Sequence, residues 1–283
     1  IAAAPHMRSS GRKQRNDQMR MCSIASGSSG NCIYIGTDAT HLLVDVGISC
    51  KRTVEGLGQL GLTGKDIDGI LITHEHADHI SGLGVICRKY GIPIYATKGT
   101  ITAIKRVSNL GVIDDSLFRV VREDEKFILK DITVNPMKIS HDAAQPVAYR
   151  FQYGNRRMAV ATDLGTYNEY TVECLRGMDV LLLEANHDIN MLQVGPYPYA
   201  LKQRILGNRG HLSNELSGKL LSRLLHDGLK TVFLGHLSKE NNLAELAYET
   251  VRLEISMADN PYKPDDFPIY VADRSAMSRL AEI

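Results

Sequence analysis

Short apolar runs, each closed by glycine, proline or polar residues, set the rhythm of this chain. Residues 22–25, 31–36 and 42–46 predict three strands, the first two joined by the tight turn Ser26-Gly27-Ser28-Ser29-Gly30. Residues 51–60 predict a helix that stops at Gly61, and residues 69–73 a further strand. A helix over 80–90, a strand over 93–96 and a helix over 100–110 follow. From Phe118 onward the pattern turns to strands, at 127–129, 132–134, 147–153 and 158–161, with Gly154-Asn155 as a hairpin turn. Helical spacing returns at 169–176, 198–206, 214–226 and 243–256, with buried strands at 180–183 and 231–234 between them.

No repeat, low-complexity tract or linker interrupts this order, so residues 21–283 are expected to form a single domain. Two large sheets packed face to face, with helices outside, are the layering it predicts. Residues 1–6 read as an expression remnant, and residues 1–20 together as remnant plus disordered tail. That tail carries Arg8, Arg12, Lys13, Arg15 and Arg20, which could touch phosphates, against which a disordered tail is the favoured account.

Composition adds constraints. The chain is 43% hydrophobic and 23% charged with a net charge of +1, so any nucleic-acid contact must use a local patch. Its five cysteines form no C-x-x-C pair, which predicts free thiols, a reducing cytoplasmic setting and no thiolate metal site. No apolar run reaches the length of a membrane span, and no obligate protein partner is evident.

The chemistry concentrates in His74-Glu75-His76-Ala77-Asp78-His79, directly after a predicted strand. His74 and His76 are two residues apart, so in extended chain they point the same way and can chelate one cation. Asp78 and His79 lie past the bend and can reach a second. Imidazole and carboxylate donors without thiolate suit zinc, manganese or iron. The alternative is a polar helix start capped by Asp78. Other predicted strands run straight into Asp45, His141, Asp163 and His236, which one convergent site explains better than four unrelated surface residues.

Taken in order, Asp45, His74-x-His76-x-Asp78-His79, His141, Asp163 and His236 resemble the metallo-β-lactamase-fold hydrolases, over nearly the whole chain after Met21. The resemblance implies a four-layer αββα sandwich and two divalent cations, zinc or manganese. It implies that His74, His76 and His141 hold one cation, Asp78, His79 and His236 the other, that Asp163 bridges them, and that Asp45 orients an imidazole. The segments SIASGSSGNCIYI, LLVDVGIS, ILITHEHADHISGL, EANHD, GHLSNE and GHLSKENN resemble the YycJ/WalJ-type bacterial proteins, understood as cytosolic 5′-to-3′ DNA exonucleases. Similarity to the tRNase Z branch implies that His211 protonates the leaving group and that Glu184 orients it. Here Leu183 stands where that branch has a histidine before the Glu. The short interval from His141 to Asp163 leaves no room for a tRNA-clamping arm.

These implications converge on a phosphodiesterase in which a hydroxide shared by two cations attacks phosphorus, with Asp78 and Asp163 orienting it. DNA is the expected substrate and RNA the alternative. A small-molecule phosphodiesterase and a carbonyl hydrolase of the lactonase, thioesterase or β-lactamase type are rival readings of the same site. Ser28, Ser29 and Asn31 could hold a substrate phosphate, against which plain turn chemistry is the simpler account. His187 could edge the cleft, and Asp188 could cap a helix. Pro196-Tyr197-Pro198-Tyr199, followed by Lys202, Arg204 and Arg209, reads as core packing of a Pro-initiated helix, with base stacking and phosphate grip as the alternative.

Overall fold

The structure, a computed structural model, describes residues 18–283; the basic tail lies outside the described residues except for its end at Arg20. In chain order the first half contains β1 (Arg20–Ala25), β2 (Cys32–Gly36), β3 (His41–Val44), α1 (Cys50–Gln59), β4 (Gly69–Leu71), α2 (Ala77–Ile80), α3 (Leu83–Tyr90), β5 (Ile94–Thr97), α4 (Lys98–Ile104) and β6 (Phe118–Val121). The second half contains β7 (Phe127–Leu129), β8 (Ile132–Lys138), β9 (Val147–Tyr153), β10 (Arg156–Ala161), α5 (Glu169–Leu175), β11 (Val180–Glu184), α6 (Ile189–Val194) and α7 (Tyr199–Leu206). It closes with α8 (Asn214–Leu224), β12 (Thr231–Gly235), α9 (Ala244–Met257), β13 (Ile269–Val271) and β14 (Ala281–Glu282).

These strands form two seven-stranded sheets, ordered β14-β1-β2-β3-β4-β5-β6 and β13-β12-β11-β10-β9-β8-β7. Strand alternation explains the layers. Leu42 and Val44 of β3 meet Val180 and Leu182 of β11, with Tyr149 and Phe233, in a core between the sheets. The intervening Leu43 faces outward into a second core with Ile70, Leu83 and Ile86. On the far side Leu181 and Leu183 pack with Leu220, Leu221, Val251 and Ile255 of α8 and α9. The result is the expected αββα sandwich. Met19 is buried and β1 begins at Arg20, which pairs with Glu282 and Gly36.

Several elements differ from the sequence expectation. The helix over 80–90 is two helices, because Ser81-Gly82 passes close to the 46–48 segment; a Cβ on Gly82 would lie 2.0 Å from Ile48 O. The helix over 100–110 ends at Ile104. α7 buries no residue and Tyr199 is 77% exposed, so the core-packing expectation for this segment is overturned. α7 is instead tied down by its polar side chains, through Lys202 Nζ to Gln193 O and Arg204 to Asp142. All five cysteines are buried and free. Among the described residues no helix is long and apolar enough to cross a membrane.

Candidate metal centre

The topology brings strand ends together. β3 and β4 are parallel, β10, β11 and β12 are parallel, and β8 runs with β10 because both are antiparallel to β9. Their carboxyl ends therefore share one edge of the sandwich, where ligand sites of open α/β sheets also form. Asp45 leaves β3, the 74–79 loop leaves β4, His141 follows β8, Asp163 follows β10, Glu184 ends β11 and His236 follows β12. Asp45, Asp163 and His236 adopt left-handed backbone, with φ of 59°, 61° and 56°. Such conformations cost of order 1–3 kcal/mol each and cluster at functional sites. Here they turn each side chain off its strand axis.

Every expected ligand is in the cluster. His74, His76 and His141 place ring nitrogens within 4.8 Å of one another, and so do the donors of Asp78, His79 and His236. Asp163 lies between the two groups, 4.0 Å from His74 Nε2, 3.3 Å from His79 Nε2, 3.7 Å from His141 Nε2 and 3.6 Å from His236 Nε2. The rings are held from behind. His79 Nδ1 meets Asp45 Oδ2 at 2.7 Å, His141 Nδ1 meets Gly210 O at 3.0 Å, and His236 Nδ1 meets Glu184 Oε1 at 2.9 Å. Each then turns Nε2 toward Asp163, the tautomer-fixing arrangement of metal-binding imidazoles.

The donors fit divalent cations. Buried His74 Nε2 and Asp163 Oδ2 have no hydrogen-bond partner. His141 Nε2 and His76 Nδ1 face each other at 3.2 Å. Buried polar atoms are rarely left so, and divalent cations held among these donors would satisfy them.

Charge follows the geometry. Burial works against a charged His79, yet Asp163, Asp78 and Asp45 outweigh it and hold its pKa well above the ordinary range. His236 is likewise penalised by burial, but Asp163, Asp78 and Glu184 push it up to about 10. His74, buried among His79, His141 and His76, is pushed well down. Asp45 is raised by burial, against the pull of His79 and Thr73.

Glu184 is fully buried, and its Oε1 meets His211 Nδ1 at 2.8 Å and His236 Nδ1 at 2.9 Å. Its Oε2 accepts from the backbone N–H of Leu164 and of Leu212. Despite burial, these partners hold its carboxyl well below the usual range. His211 Nδ1 is also 3.7 Å from Asp163 Oδ1, and the ring is partly exposed to the cleft.

The substrate candidates separate. Asn31 is buried; it accepts from Gly27 N–H and donates to Asp78 O, with its amide nitrogen 3.3 Å from His79 Nε2. It clamps two loops, with its buried amide beside the donor cluster. Ser28 and Ser29 are exposed, and Ser28 Oγ accepts from Lys239 N–H. His187, expected at the cleft edge, is buried behind Asn186, and Asp188 caps α6 by accepting from Met191 N–H. Sequence reading missed Asp142, whose Oδ1 lies 3.5 Å from His141 Nε2 and 3.7 Å from His76 Nε2 while it pairs with Arg204. Its position directly after His141 was the available signal.

The family model for the beta-lactamase superfamily domain matches residues 40–236. Exodeoxyribonuclease WalJ of Streptococcus pneumoniae serotype 2 (strain D39 / NCTC 7466) is 40% identical over 260 residues, 92% of this chain and 96% of that protein. Exodeoxyribonuclease YycJ of Bacillus anthracis is 40% identical over 236 residues, 81% of this chain and 86% of that protein. Among solved structures, the metallo-β-lactamase fold protein YhfI from Bacillus subtilis superposes with a TM-score of 0.69 at 15% identity, covering 94% of this chain and all of that one, a likeness of fold alone. Sheets, strand-end donors and sequence agree, and the chain belongs to the β-lactamase superfamily, with the metallo-β-lactamase fold.

Proposed function

We propose that this protein is a two-metal DNA exonuclease that degrades its substrate from the 5′ end. It is a hydrolase of its family. The observation that carries the nuclease reading is the His211–Glu184 contact beside the ligand cluster, in a chain 40% identical along nearly its whole length to a protein named an exodeoxyribonuclease. His74, His76 and His141 would hold one cation, Asp78, His79 and His236 the other, with Asp163 between them. Bound zinc or manganese would make water acidic enough to act at neutral pH and would neutralise charge growing on the phosphate oxygens.

The chain's own groups do the rest. Asp45, Glu184 and Gly210 O fix the ring tautomers so that no reorientation is needed when substrate arrives. Asp78 and Asp163 accept hydrogen bonds from the attacking water and aim it. Glu184 holds His211 Nδ1, which leaves Nε2 to deliver a proton to the departing 3′ oxygen. The reading places the protein in the cytoplasm, where five unpaired cysteines stay reduced.

The test is one panel of metal-loaded protein with end-labelled duplex and single-stranded DNA, RNA, bis-p-nitrophenyl phosphate and a lactone. Mononucleotide release from 5′-labelled DNA is the expected result. Cleavage of the lactone alone would overturn the reading.

A further inference from the structure

A second basic feature lies away from the ligand cluster, on the outer face of the second sheet. A cavity of about 260 Å³ opens where α5 ends over β8, β9 and β10. Lys126, Arg150, Arg157 and Arg176 line it, against one carboxylate, Glu173. A chain of net charge +1 thus gathers four cations around one small hollow. Glu173 pairs with Arg176, and among the described residues Lys126 and Arg157 make no side-chain ion pair. Arg150 is half-buried and fixed, donating from Nη1 to Cys174 O, while its buried Nε has no acceptor. Solvated surface cations normally spread apart; here they converge on a concave polar site.

The cavity's position gives it a partner. A larger cavity of about 650 Å³ begins at His141 and is lined by Lys138 and Arg209, with Glu123 and Asp124 also on its wall. α5 separates the two hollows: Asn168, Tyr170 and Thr171 border the larger, and Glu173 and Cys174 the smaller. Along β8, Lys138 borders one and Asn135 the other, three residues or roughly 10 Å apart. A strand leaving the ligand cluster past His141 can therefore cross α5 into the basic hollow.

We propose that the hollow formed by Lys126, Arg150, Arg157 and Arg176 is an accessory site for the phosphodiester backbone, gripping the DNA strand downstream of the nucleotide being cut. It rests on the nuclease reading above and adds a substrate-length requirement. Phosphate contacts of this kind position the strand and carry no base preference.

The experiment compares wild type with a K126Q/R157Q/R176Q variant, which alters only exposed side chains. Removing three backbone contacts should raise KM for a single-stranded oligonucleotide on the order of ten-fold and lower the slope of log affinity against log salt by roughly 2. Turnover number and hydrolysis of bis-p-nitrophenyl phosphate should not change, and a dinucleotide, too short to span α5, should be cut equally by both proteins. Unchanged KM and salt slope on the long strand would overturn the proposal. So would loss of inorganic-phosphate binding without any change in DNA affinity, which would mark a free-anion site. Should wild type cut no nucleic acid, the nuclease reading fails; fluorescence anisotropy with labelled oligonucleotide still judges the hollow, since equal affinity of both proteins would sink it too.

Discussion

Glu184 accepts from two rings with one oxygen, His211 Nδ1 at 2.8 Å and His236 Nδ1 at 2.9 Å. One buried carboxylate therefore serves both the proposed proton donor and a proposed metal ligand. The two roles separate by mutation. His211→Ala leaves His236 and its support in place, so turnover should fall roughly 10²–10⁴-fold with both cations retained. Glu184→Gln should lower activity and also weaken metal retention, because the amide must turn its NH2 either on the His211 and His236 rings or on the Leu164 and Leu212 N–H groups. Single-turnover cleavage alongside metal analysis of the purified variants checks this; a His211→Ala enzyme of normal rate would remove it from the mechanism.

Asp45 performs the corresponding task for His79. Its Oδ2 meets His79 Nδ1 and Thr73 Oγ1, and its Oδ1 accepts from Thr73 N–H. Asp45→Asn keeps the shape but offers an N–H where an acceptor is needed. Cation affinity should fall roughly 10–100-fold, read by competition with a chromophoric chelator. Equal affinity would show that His79 needs no such support.

Proton release should accompany metal loading. In the metal-free protein His236, with its pKa pushed up to about 10, and His79, also raised, carry protons at neutral pH. His74 and His141 are pushed down and enter neutral. A cation must expel the first two protons, so apparent affinity falls as pH falls and keeps rising with pH above neutrality. Calorimetry in buffers of different ionisation enthalpy should count about two protons released per fully loaded protein. A heat independent of buffer would contradict this charge assignment.

The clustering of these donors was legible because its chemistry is local: four donors in one loop, and single donors directly after apolar strands. The layering was legible because the order of predicted strands and helices requires two sheets with helices outside, and the structure sends Leu42 and Val44 to one core and Leu43 to the other. Glu184's double duty was not, since His236 is its partner only through the parallel register of β11 and β12. Left-handed backbone at Asp45, Asp163 and His236 was not legible either: Asp and His enter that region more often than most residues, yet only a small share of them do, so residue type alone does not mark the positions. The segment from Tyr199 to Leu206 has enough apolar residues to suggest core packing, yet the outer core is already filled by α8 and α9.

Gly47 links the strand framework to the metal-motif loop. Its N–H donates to Asn31 O, Asn31 N–H donates to Asp78 O, and a Cβ on Gly47 would lie 1.6 Å from Asp78 O. No side chain can be accommodated without moving the backbone that carries Asp78 and His79. Gly47→Ala should therefore cost about 2–3 kcal/mol in urea unfolding of the chelator-treated protein, and should weaken cation binding as well. Gly58→Ala is the matched control. That glycine lies inside α1 with nothing within 4 Å of an added Cβ, so the change should stabilise by about 0.5–1 kcal/mol and leave the cations alone. If both variants unfold alike, the contact between Gly47 and Asp78 is not what holds the motif loop in place.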